Sequence, residues 1–300
     1  MIEALRTPEE RFIVVPDFDY PPNYVDDLPG FEGLRMHLVD EGPARAEHVY
    51  LCLHGEPTWS FLYRKMAAAL LASGGRVVAP DFFGFGRSDK PLDDAVYTFD
   101  FHRRSILELI AQRDLTNITL LCQDWGGLLG LTLPMEMPDR IARLIVMNTA
   151  LATGDEPLPE GFVAWRRFVR DNPDFSITGL MRRACPGMSD EELAGYEAPF
   201  PDHRYRAGVR TFPAIVPVSP DDPGAEVSRR ARTWLSAEWS GKTAVVVGAQ
   251  DPVLGVPAVR HLAAMIRGAP EPVVLDAAGH FTQEAGEVVV AAALAAFENG

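Results

Sequence analysis

The chain has 300 residues, enough to bury a large core as one domain or as one domain with an insertion. Hydrophobic residues make up 47% and charged residues 23%, the balance of an ordinary soluble globular protein. The net charge of −14 argues against a nucleic-acid partner or an anionic membrane surface.

Cys52, Cys122 and Cys185 are odd in number, and the first two sit in apolar runs. That pattern points to buried thiols in a reducing compartment, not to a disulfide framework. The start, MIEALRTPEERF, lacks an apolar core of signal-peptide length, and no apolar stretch is as long as a bilayer span. The expected location is the cytoplasm.

In chain order, the short apolar runs are HVYLCLHG (48–55), RVVAPD (76–81), ITLLCQD (118–124), IARLIVMN (141–148), TAVVVGAQD (243–251) and PVVLDAAGH (272–280). Each is rich in β-branched residues and nearly continuous, as expected of a strand buried on both faces of a parallel sheet. In HRRSILELIAQRDL (102–115), Ile106, Leu109 and Ile110 share one helical face. Alternating strands and helices predict an α/β fold, with a mostly parallel sheet and helices on both faces. The alternation breaks between about 152 and 230, where proline, aromatics and short helical patterns replace the strands. This stretch reads as a helical cap (152–230) inserted into a core made of 1–151 and 231–300.

The predicted strands end in His54, Asp81, Asp124, Asn148, Asp251 and His280. Open α/β sheets bind ligands outside the carboxyl ends of their strands, so these side chains converge on one edge. Asp124 stands in LLCQDWGGLLG (120–130), a strand, turn and helix of the kind in which many hydrolases place a serine as G-x-S-x-G. An aspartate here is also a good helix N-cap. His280 lies downstream, with Asp251 between them, in the order nucleophile, acid, base. Asn148 ends a strand where some related enzymes carry the acid. An amide holds no negative charge, which leaves Asp251 as the better candidate. GFGRSD (84–89) lacks the full G-x-G-x-x-G spacing and reads as a structural turn. No metal-ligand motif occurs, and no cofactor is implied.

HGEPTWSFLYRKM (54–66), DFFGFGRSDKP (81–91), CQDWGGLLGLTLPM (122–135), GAQDPVLG (248–255) and AGHFTQE (278–284) together resemble a haloalkane dehalogenase of the α/β-hydrolase superfamily. GFVAW (161–165) and APFPDHRYRAGVRTFPAIV (198–216) resemble that family's cap, so the likeness covers nearly the whole chain. It implies Asp124 as nucleophile, His280 as base and Asp251 as the acid that orients it. Trp125 and Trp165 resemble the indole pair that holds the departing halide. The backbone N–H groups of Glu56 and Trp125 fall where the family forms its oxyanion hole. The best match is the branch with its acid after the later strand; another branch has asparagine in place of Glu56. Leu128 and Gly154 stand where some members carry aromatics.

The implied chemistry suits these residue types. A carboxylate, with a reference pKa of about 3.9, is ionised at neutral pH without a base and attacks a saturated carbon directly. Indole is a donor only and is suited to a leaving halide. The implied reaction turns short 1-haloalkanes and water into alcohol, halide and a proton through an alkyl ester on Asp124. An epoxide hydrolase shares the aspartate and histidine but needs cap tyrosines as acids, for which Tyr196 and Tyr205 are available. A silent binding protein on the same scaffold would lack one member of the catalytic set, and none is missing.

Overall fold

A computed structural model describes residues 2–13 and 15–299. Three strands precede the first expected run: β1 (Ala4–Leu5), β2 (Asn23–Val25) and β3 (Met36–Glu41). Then come β4 (Val49–Leu53), β5 (Arg76–Pro80), β6 (Lys90–Pro91), β7 (Ile118–Cys122), β8 (Ile141–Val146), β9 (Lys242–Gly248) and β10 (Val273–Leu275). Each of the six apolar runs coincides with one of them, β9 starting one residue before its run. The main sheet has eight strands in the order β10-β9-β8-β7-β4-β5-β3-β2. Pairs from β10 through β5 are parallel, whereas β3 runs antiparallel to both β5 and β2. β1 and β6 form a separate antiparallel pair.

Every residue of β4 and β7 is buried, because helices cover both faces of the sheet. On the core, α1 (Arg64–Ala72) links β4 to β5, and α2 (Phe99–Gln112) leads toward β7. The Thr98 hydroxyl caps α2 by accepting the Phe101 N–H, which starts the helix three residues before the periodic stretch read at 102–115. The helix α3 (Trp125–Gly130) follows β7. Between β8 and β9 lie α4 (Glu160–Asp171), α5 (Ile177–Ala184), α6 (Asp190–Glu197), α7 (Ala207–Ile215) and α8 (Ala225–Ala237). No strand interrupts them among the described residues. The boundary read at residue 230 falls inside α8. The core closes with α9 (Val256–Ala264) and α10 (Glu287–Asn299).

From β4 the chain steps outward to β5, then returns to place β7 on the other side of β4. The loops after β4 and β7 therefore part at a switch point, where such sheets open a crevice. Glu56 and Asp124 lie in those two loops.

Asp124 has φ 47° and ψ −127°, a backbone region that costs a side-chain-bearing residue about 1–3 kcal/mol. Its neighbours make the turn possible. A Cβ on Gly126 would collide with the Leu53 carbonyl, and one on Gly127 with the Thr149 side chain. Gly127→Ala is expected to lower stability by about 1–3 kcal/mol in urea denaturation, the usual range for overpacking a core. Gly187→Ala is the control, because a Cβ there meets nothing within 4 Å.

Candidate active site

The loop after β4 is fixed by His54. Its Nε2 accepts the Phe82 N–H at 2.9 Å, so the ring proton sits on Nδ1 and is donated to the Gly55 carbonyl, also at 2.9 Å. Thr58 Oγ1 donates to the same carbonyl. Held in this way, Glu56 donates its backbone N–H to Asp124 Oδ1 at 2.8 Å. The other oxygen, Oδ2, is 3.6 Å from His280 Nε2. The β8 side secures the turn: the Asp124 N–H donates to the Asn148 carbonyl, and Thr149 Oγ1 donates to the Asp124 carbonyl.

His280 Nδ1 is 2.8 Å from Asp251 Oδ2. Asp251 is buried and has further donors: Asn148 Nδ2 at 2.9 Å on Oδ2 and the Val253 N–H at 2.7 Å on Oδ1. Asn148 is itself fixed, because its Oδ1 accepts from the Gly248 N–H and from Thr282 Oγ1. Burial works against charge on Asp251, but the His280 contact and these donors outweigh it and bring its pKa down to about 2. Burial likewise opposes charge on His280, yet Asp251 and then Asp124 push its pKa up to about 10. One imidazole is thus shared by two carboxylates.

These groups open onto a cavity of about 1350 Å³ between the sheet edge and residues of α4, α5, α7 and α9. Glu56, Asp124, Trp125, Trp165, Asp251 and His280 all line it. Trp125 packs its ring 4.5 Å from Phe212, and among the described residues its indole N–H donates to no protein acceptor. No hydrogen bond runs from the Trp125 backbone N–H to the Asp124 carboxylate among the described residues; Glu56 alone makes that bond. Trp165 comes from α4 and packs on Phe168 and Phe175.

The Glu56 side chain is buried, and its Oε1 has no partner. Burial and then the Asp124 charge push its carboxyl well above the usual range, while the Trp165 indole and His280 pull the other way. Tyr196 and Tyr205 do not line the cavity. The Tyr196 hydroxyl is spent on Glu284, beside Arg64. Sequence reading passed over Gln123 and Gln283, both fully buried and both adjoining the His280 loop.

A family model for the alpha/beta hydrolase fold matches residues 49–287. A haloalkane dehalogenase from Psychrobacter cryohalolentis is 47% identical over 255 residues, covering 84% of this chain and 83% of that protein. Another, from Mycolicibacterium paratuberculosis, is 40% identical and covers 94% of each chain. The chain belongs to the haloalkane dehalogenases. The solved structure of a haloalkane dehalogenase from Paraglaciecola agarilytica NO2, described as tetrameric, superposes with a TM-score of 0.96 at 51% identity and covers 98% of both chains. Haloalkane dehalogenases are hydrolases that act on carbon–halogen bonds.

For a dehalogenase site built in this way, neutralising Asp124 removes one of the two charges that hold the imidazolium. In Asp124→Asn the pKa of His280 is expected to drop by about one to three pH units, the usual effect of a carboxylate ~4–6 Å away. Titration of the imidazole by NMR measures it; an unchanged midpoint would show that Asp124 does not act on the ring.

Proposed function

We propose that Asp124 is the nucleophile, His280 the base and Asp251 the acid in the hydrolysis of short 1-haloalkanes. The observation that carries this reading is the Asp124 carboxylate, which opens onto an apolar cavity with Oδ1 held by the Glu56 N–H and Oδ2 facing His280. Oδ2 attacks the halogen-bearing carbon; the carbon–halogen electron pair leaves with the halide, and an alkyl ester remains. Oδ1 becomes the ester carbonyl, already beside a backbone donor. Trp125 and Trp165, both lining the cavity, direct indole N–H groups at the developing halide.

The ester formed in this way is neutral. Its formation removes the Asp124 charge that held the imidazolium, so the ring gives up its Nε2 proton to solvent and Nε2 stands free as a base when a base is needed. Nε2 takes a proton from water, the hydroxide adds to the ester carbonyl, and the oxyanion sits against the N–H groups of Glu56 and Trp125. Collapse passes the proton of the added hydroxyl to the leaving oxygen, expels the alcohol and restores the Asp124 carboxylate, while Asp251 steadies the imidazolium that keeps the proton taken from water. The net reaction consumes one water and releases alcohol, halide and a proton.

Residues 152–230 act as the cap that supplies Trp165 and closes the pocket. No nucleic acid, membrane or cofactor takes part in this reading. The chain works in the cytoplasm, in keeping with three free cysteines and with no described helix long and apolar enough to cross a membrane. The epoxide hydrolase reading lacks its cap tyrosine at the cavity, since neither Tyr196 nor Tyr205 lines it.

A short bromoalkane and a simple epoxide assayed in parallel separate the two readings. Bromide release is expected, and diol formation without bromide would overturn the reading. His280→Ala should release halide once per site and retain the alkyl group on Asp124, visible by intact mass. Trp125→Phe and Trp165→Phe are each expected to slow alkylation by about 10²-fold, the scale of losing one preorganised donor.

A further inference from the structure

We propose that Gln123 is a positioning residue for ester hydrolysis: its buried amide clamps the His280 loop to the nucleophile's strand and favours the neutral imidazole that carries a lone pair on Nε2. This rests on the roles proposed above for Asp124 and His280.

Gln123 is fully buried between the end of β7 and the nucleophile. Its Nε2 lies 3.1 Å from the His280 carbonyl and 3.1 Å from His280 Nε2, while its Oε1 accepts from Gln283 Nε2 at 3.2 Å. Gln283, also buried, belongs to the short turn Thr282–Ala285 that follows the base. These contacts fix which way the amide faces. Reversed, Gln123 would set an oxygen against the His280 carbonyl. The group presented to the ring is therefore a donor.

His280 Nδ1 faces Asp251, so the neutral ring carries its proton there and offers a lone pair at Nε2. That lone pair can accept from Gln123. An imidazolium would instead set N–H against N–H. Asp251 and Asp124 favour the charged ring, Glu56 faces it as a carboxyl whose protonated form burial favours, and the amide opposes the charged ring. Alkylation needs no base, so the amide matters little to it. Ester hydrolysis needs the lone pair, so the effect of Gln123 falls on the second step.

Gln123→Met keeps the length and removes the donor; Gln123→Glu sets an anion against Nε2; Gln283→Met removes the donor that orients Gln123. Halide burst and ester decay are followed separately against pH. In Gln123→Met the burst is expected to stay within about threefold. The acid limb of ester decay should move up by about one pH unit, a tenfold loss of rate at pH values below the limb. Gln123→Glu should move it further, and Gln283→Met less, in the same direction. A limb that stays in place while burst and decay fall together would reduce Gln123 to a packing residue and overturn the proposal, as would a limb that moves down. Where Gln123→Met does not fold, Gln283→Met carries the same test. NMR titration of His280 in these variants needs no substrate; a midpoint that does not rise also overturns the proposal. An unsubstituted enzyme that forms no ester would sink the Asp124 reading instead, and the titration keeps the two failures apart.

Discussion

Asp124 sends its two oxygens to different partners, and most of the surrounding architecture serves that division. Oδ1 accepts the Glu56 N–H, and Oδ2 faces the imidazole and the cavity. The division depends on a strained turn between β7 and α3, which depends in turn on two glycines that let α3 lie against β4 and the residues after β8. It also depends on the strand order. Because β7 returns to the far side of β4, the loops after both strands face one crevice, and a backbone donor from one meets a carboxylate from the other. The buried hydrogen bonds of His54 fix that donor before any substrate arrives.

Charge is arranged with similar economy. Two carboxylates flank one imidazole, but only one of them keeps its charge through the proposed cycle. Asp251 is buried and fully bonded, so its contribution stays constant. The Asp124 contribution vanishes on alkylation and returns on hydrolysis. In the proposed cycle the first chemical step prepares the base for the second. Glu56 adds a third carboxyl to the site, and burial beside Asp124 favours its protonated form. A neutral acid there avoids a second anion next to Asp124.

Much of this was legible in the residues. The parallel strands announced themselves as β-branched apolar runs, since burial on both faces leaves no polar alternation. β2 and β3 did not. MHLVDE (36–41) begins buried and ends in two half-buried acids, and three-residue strands carry too little pattern to read. Asp124, Trp125, Asp251 and His280 stood out because motif and strand end coincided. Gln123 did not, because a glutamine beside a nucleophile looks like any loop amide until the fold brings the His280 loop against it. The Glu56 carboxyl was silent for a similar reason: only burial beside Asp124 sets its state. Tyr196 looked available as a cap acid until packing showed its hydroxyl bonded to Glu284.

The most direct test of the account is a single turnover in ¹⁸O-labelled water, with enzyme in excess over a bromoalkane. Attack of water on the ester carbonyl places the label in the Asp124 carboxylate and leaves the first-turnover alcohol unlabelled, which is the predicted result. Label in that alcohol with none in Asp124 would mean that water attacks the halogenated carbon directly, and would contradict the covalent role given to Asp124.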